Sequence, residues 1–294
     1  MSAILVGNLF AAAGLNLVTQ AIQIGAYGAR IAGVQTGRIA TAIALFSLVV
    51  TASRLANLVV TPALGALADT PANAAMHVHE LAQGALRLQP AAATPEALHV
   101  FDLQMRIVVA AGSIGILIGG LLMPVFILLF VRGVGAFERL GSIPAALLRL
   151  LDPRVLRDLI AAARLPSIAE LRALPYQKIP RQLVIGNTVI MTVYSIGVVA
   201  AYYASVLNLE ARGTVIGLSG LVNGIGTVAF SFFVDPTSSY IVDQTARGER
   251  PIADVRAMIV ALIVSAFLGT LIAQLILFPA AEYIAVAAHL FKRS

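Results

Sequence analysis

The chain has 294 residues, 59% of them hydrophobic and only 12% charged, with a net charge of +6 and neither Cys nor Trp. Its apolar residues lie in long blocks, and roughly 25% charged residues would be usual in a soluble domain, so a soluble fold is excluded. So is an outer-membrane barrel, whose strands alternate apolar and polar positions.

Without Cys there is no disulfide, thiolate nucleophile or cysteine metal site. All four His (His77, His79, His99, His289) fall outside the apolar blocks, so neither a metal nor a cofactor is expected. Excess Lys and Arg in such a chain mark cytoplasmic loops and do not call for nucleic acid.

A bilayer core takes about 20 mostly apolar residues per helix, and six segments qualify: 3–26, 39–67, 107–131, 183–206, 215–234 and 257–278. The first opens MSAILVGNLF, with no basic residue ahead of the apolar run, and reads as a span instead of a cleaved signal. It carries a polar stripe of Asn16, Thr19, Gln20, Gln23, Tyr27 and Arg30 at three- and four-residue spacing. Arg30 and Arg38 make the first loop positive.

The second segment is the longest. It must tilt, or kink at Pro62, which removes one helix hydrogen bond. Arg54 lies near its centre, with Ser47, Thr51, Asn57 and Thr61 at helical spacing around it. An Arg at that depth costs about 2.5–3.5 kcal/mol on insertion scales. It therefore faces a watery cavity or, as a structural residue, is satisfied by carbonyls inside the bundle.

The next loop, residues 69–106, is net acidic: Asp69, Glu80, Glu96 and Asp102 against Arg87 and Arg106. Gly112, Gly115 and Gly119 give the third segment a face for close packing. Residues 132–181 form a basic linker with nine Lys or Arg against four Asp or Glu. In it, Asp152-Pro153 predicts a helix start and Ser167-x-x-Glu170 a capping box. Basic amphipathic helices beside spans lie on the anionic inner leaflet.

The fourth segment offers Thr188, Thr192 and Ser195, and the fifth Ser219, Asn223, Thr227 and Ser231 before Asp235-Pro236. Ser265, Gly269 and Ala273 make the sixth a packing helix. Loop charge places the first and third loops in the cytoplasm and the N-terminus outside.

The expected architecture is an all-α polytopic membrane protein. Residues 1–131 hold spans one to three with the outer loop 69–106, residues 132–181 the cytoplasmic linker, and residues 182–294 spans four to six. Three spans per half would make any repeat inverted. Leu67-Ala68-Asp69-Thr70-Pro71 and Phe233-Val234-Asp235-Pro236-Thr237 resemble each other, and each follows a basic residue, Arg38 or Arg212.

Three polar faces and a central Arg predict a hydrated, cationic cavity free of carboxylates. Arg30, Arg38 and Arg54 are its expected anion ligands, with Gln23, Asn57 and Asn223 as uncharged partners. Pro62 and Gly65 are its expected moving parts, with Asp69 and Asp235 at helix ends. Guanidinium groups grip phosphate oxygens bidentately. A phospholipid, a polyprenyl diphosphate and a soluble anion all satisfy that chemistry. Gly217-Leu218-Ser219-Gly220 matches the GxSG string of rhomboid proteases, but no span holds a His to activate the Ser. A membrane phosphatase using His77, His79, Glu80 and His99 is one alternative, and a non-transporting envelope scaffold is another.

Residues 26–70, AYGARIAGVQTGRIATAIALFSLVVTASRLANLVVTPALGALADT, resemble the signature region of the Amj family, the lipid II flippases that are alternates to MurJ. The matched elements are Arg30, Gly33, Thr36, Gly37 and Arg38, then Ser53, Arg54 and Asn57, then Pro62, Gly65 and Asp69. GTLIAQLILFPAA, residues 269–281, is similar to the family's last helix. The resemblance implies a transporter, not an enzyme. Its substrate would be the undecaprenyl-diphosphate-linked disaccharide pentapeptide, moved from the inner to the outer leaflet of the bacterial cytoplasmic membrane by alternating access. The size of that head group makes a homodimer sharing one cavity a further expectation.

Overall fold

The computed structural model describes residues 3–74, 76–80, 86–90, 95–142, 152–164 and 166–291. Helix α1 (Ala3–Gly25) is followed after two residues by α2 (Gly28–Thr36) and then by α3 (Ile39–Ala74). A hairpin of β1 (Met76–Glu80) and β2 (Leu86–Pro90) leads to α4 (Pro95–Leu121) and α5 (Met123–Leu140). Two short helices follow, α6 (Pro153–Ala161) and α7 (Ile168–Arg172). The second half holds α8 (Arg181–Leu207), α9 (Arg212–Ala229), α10 (Asp235–Ala246) and α11 (Ile252–Ala287). A π-helical turn, Phe230–Val234, joins α9 to α10. Among the described residues, five helical stretches are long and apolar enough to cross a bilayer, and the apolar Ile39–Ser53 part of α3 marks the sixth expected span. The molecule is an all-α polytopic membrane protein.

Most helix ends run past the expected spans, and one falls short. The first stretch runs on to Thr36, the fourth to Leu207 and the fifth to Ala246. The third begins at Pro95, carrying Asp102 and Arg106 inside it, and stops at Leu121. There the backbone breaks before Pro124, and α5 starts anew instead of continuing the span. Outside the spans, the residue 69–106 segment contains the end of α3, the hairpin and the start of α4, so it is not a simple loop. The linker helices form as expected: Asp152 accepts from the Arg154 amide, and Ser167 and Glu170 close a capping box.

Local chemistry explains the α2 to α3 corner. Gly37 sits at φ 68°, and its amide reaches back to the Gly33 and Val34 carbonyls. This left-handed helix end suits a residue without Cβ. Gly33 meanwhile admits Ala42 and Ile39 from the next helix.

Packing then repeats one device in both halves. In the first, Asn16 Nδ2 of α1 donates to the Val108 carbonyl of α4 at 2.8 Å, and the carbonyl of the next residue, Leu17, lies where a Cβ on Gly115 would stand. In the second, Asn187 Nδ2 of α8 donates to the Leu262 carbonyl of α11 at 3.0 Å, and the carbonyl of the next residue, Thr188, lies against Gly269. Val108 precedes Gly115 by the same interval as Leu262 precedes Gly269.

Helices α4 and α11 meet antiparallel. Residues 106, 113 and 120 of α4 face residues 274, 270 and 263 of α11 in turn, through Arg106–Gln274, Ser113–Thr270 and Gly120–Ile263 contacts. The second half thus packs in the manner of the first, α8 lying on α11 as α1 lies on α4. The apolar interior is divided accordingly. One cluster, including Leu64, Leu67, Phe101 and Tyr203, lies toward the end where α3 finishes; another, including Ile31, Leu183, Ile241 and Met258, lies toward the α2 end.

Candidate functional site

Arg30, in the first turn of α2, is 93% buried within an apolar helical stretch. A charge held there needs a partner or a watery path. Its partner is Asp235, the first residue of α10: Arg30 Nη2 donates to Asp235 Oδ1 at 2.8 Å. The guanidinium carbon also stands 5.0 Å from the Tyr27 ring centroid and 5.3 Å from that of Phe46 on α3, within cation–π range. Arg30 Nη1 is buried without a hydrogen-bond partner. Close to this node, the Tyr194 hydroxyl of α8 bonds Thr227 of α9.

The π turn matters for this geometry. Its extra residue shifts the helix just before Asp235, and Pro236 takes a first-turn position of α10 where no amide is required. The result is a cation gripped on one side by aromatic faces and on another by a carboxylate that is about one-third exposed. One guanidinium edge stays uncommitted. Such a site can take an anion by exchanging Asp235 for phosphate oxygens, without leaving the Arg bare in an apolar setting.

The remaining sequence candidates scatter. Arg38 is exposed and pairs with Glu138 at the end of α5, not with Arg30. Gln23 and Asn223 are half-buried, and Asn223 Oδ1 lies against Gly197 of α8 without a hydrogen-bond partner. The side chains of Arg54 and Asn57, and of His77, His79 and Glu80, lie outside the described residues; His99 is exposed on α4. Pro62 is an exposed position inside α3, and Gly65 faces the Tyr202 ring. Asp69 pairs with Arg212 at the start of α9.

The expectation of a carboxylate-free site is overturned, because Asp235 lies within a helical span and neutralises Arg30. Of the fourth span's polar residues, Thr192 donates to the Gly269 carbonyl of α11 as well as to Thr188 in its own helix, and Ser195 donates to Met191 within α8. Sequence reasoning passed over Tyr27, Phe46 and Arg212 as site residues. For Arg212 a signal was present, since it precedes the fifth span as Arg38 precedes the second.

A buried Arg paired across the bundle, two similarly packed half-bundles and spans of this length define a polytopic helical membrane protein. The chain matches the family model described as Amj, Alternate to MurJ, over residues 15–288, and it belongs to that family. It is 32% identical over 270 residues to the Lipid II flippase Amj of Bacillus subtilis (strain 168), covering 92% of each chain. No solved structure matches it. The protein is a multi-pass component of the bacterial cytoplasmic membrane.

Proposed function

We propose that this chain is a lipid II flippase. It carries the undecaprenyl-diphosphate-linked disaccharide pentapeptide from the inner to the outer leaflet, as a transporter and not an enzyme. The observation that carries the reading is similarity to the Bacillus subtilis flippase through nearly the whole of both chains. The buried Arg30, with one edge uncommitted, supplies chemistry suited to the substrate's diphosphate.

In this reading the diphosphate displaces Asp235 and takes both Nη atoms of Arg30. Gln23 and Asn223 hydrogen-bond the sugars, Arg54 and Asn57 receive the head group deeper in the bundle, and the polyprenyl tail stays in lipid. The Arg30 end faces the cytoplasm, because Arg38, Arg132 and the basic linker helices gather there. The linker lies on the anionic leaflet, with Ile160 and Ile168 exposed beside Arg157 and Arg164. Alternating access moves the head group past the bundle. A homodimer is part of the same proposal, and the mass of the purified protein in detergent reads it out.

Equilibrium binding tests this assignment. Purified protein should bind a short-chain polyprenyl-diphosphate-linked disaccharide, and Arg30→Gln should weaken that binding by about tenfold or more, the loss of one charge-assisted contact. Equal binding by protein and variant would remove Arg30 from the site. No binding by either would remove the substrate.

A further inference from the structure

Arg30 and Asp235 are not a solitary pair. At the opposite end of the bundle Arg212, at the start of α9, pairs with Asp69, near the end of α3. Both pairs end on the α9–α10 rod, one at the start of α9 and one at the start of α10. Asp235 of α10 takes Arg30 of α2, and Arg212, which opens α9, takes Asp69 near the end of α3.

Other contacts match as well. Asp69 and Asp235 follow similar apolar residues and precede a Pro within two positions. Each Arg keeps one buried guanidinium nitrogen without a hydrogen bond, Nη1 in Arg30 and Nε in Arg212. The two halves also share the Asn–carbonyl and glycine contacts that hold α1 on α4 and α8 on α11. Those contacts sit on the packing helices, whereas the charged pairs hold the α9–α10 rod at either end of its α9 part, one to α2 and one to α3. Between these tied ends, α9 fully buries only Val215 and Gly226.

We propose that Arg30–Asp235 and Arg212–Asp69 are equivalent gates, one at each membrane face, which open in alternation as α3 and α9 rock against the frame of α1, α4, α8 and α11. Arg212 and Asp69 are then positioning residues of transport at the outer face. The proposal rests on the transport reading above but does not depend on which anion is carried. Both gates are closed in this structure, the state through which an exchange between inward and outward openings must pass. Opening one gate frees one end of the α9 part of the rod, and the pair at its other end then serves as the pivot.

The natural chain contains no Cys, so single reporters can be placed without background. Ala29→Cys lies beside Arg30 and Ala68→Cys beside Asp69, both at positions that are fully buried. Membrane-impermeant thiol reagents are applied from each side of the membrane to full-length protein in vesicles. Adding Asp69→Asn should speed labelling of Ala68→Cys from outside and slow that of Ala29→Cys from inside. Adding Asp235→Asn should do the reverse.

Changes of roughly tenfold are expected, equivalent to about 1.4 kcal/mol of bias between two states. The charge-exchanged double variant Asp69→Arg with Arg212→Asp should return both rates toward those of the parent, and it tests the pair if a single variant does not accumulate. Opposite changes at the two ends support the gates. A change confined to the altered end, or a rise at both ends, overturns them, because loosening a purely structural pair protects nothing at the far face. Reciprocal labelling without lipid II transport would keep the gates and reject the substrate. Transport without reciprocal labelling would do the opposite.

Discussion

Helices α4 and α11 differ from α3 and α9 in almost every physical respect. The first two are the packed helices: α11 buries fifteen of its residues, including Ser265, Gly269 and Thr270, and α4 brings Gly115 and Gly119 against the backbone of α1. Their polar groups are satisfied across the interface, as in Ser113 to Thr270 and the mutual Arg106–Gln274 bonds. Of the second two, α9 fully buries only Val215 and Gly226. Helix α3 packs Leu64, Leu67 and Ala68 near the end where Asp69 ties it by charge to α9, whose rod is held at the start of α10 by Arg30. In lipid there is no hydrophobic drive between helices, so close contact by small residues and interhelical hydrogen bonds must make the frame. Where those are sparse and ion pairs take their place, a helix can move at the cost of exchanging one partner for another.

The sharpest way to break this contrast is to remove one member of a charged pair. Asp235→Ala leaves Arg30 buried without its carboxylate, and should destabilise the protein by up to about 3 kcal/mol, the low end for a broken buried pair because Asp235 keeps partial exposure. A fall in the thermal unfolding midpoint in detergent checks it. Gly269→Ala attacks the frame instead. A Cβ there would stand 2.7 Å from the Thr188 carbonyl oxygen, and the overpacking should cost about 1–3 kcal/mol, again read as a lowered midpoint.

Asn187→Leu removes the bonds to Leu262 and Ser265 and should cost about 0.6–1.7 kcal/mol, the range measured for hydrogen bonds between spanning helices. The smallest effect belongs to Glu138→Gln. Its pair with Arg38 is exposed on both sides, and the midpoint should move by no more than about 1 kcal/mol equivalent. A large loss there would show that the α5 corner is part of the frame after all.

Composition and block length made the class of fold legible, and the small-residue faces of the third and sixth segments foretold the frame. Span ends were not legible, because hydropathy stops at the first charge while the helix does not. Arg30, Asp102, Arg106 and Asp235 all sit inside helices whose charges are neutralised, within the helix for Asp102 and Arg106 and across the bundle for Arg30 and Asp235. A partner 205 positions away leaves no trace in local spacing. That is why Asp235 read as a helix end, and why the site read as free of carboxylates. The hairpin was missed for another reason: Met76-His-Val-His-Glu80 and Leu86-Arg-Leu-Gln-Pro90 alternate, but five residues each are too few to stand out from an acidic loop. The turn at Gly33 to Arg38 was readable only as a motif. Its chemistry, a left-handed Gly37 and a close approach at Gly33, emerged once α2 and α3 were seen to meet.

The most direct test of the whole account is complementation. The chain, and its Arg30→Gln variant at equal membrane level, are expressed in bacteria depleted of their only lipid II flippase, and lipid II in the outer leaflet is measured. The account predicts growth and outward-exposed lipid II with the natural chain, and loss of both with the variant. A well-inserted natural chain that leaves lipid II on the inner leaflet would contradict it.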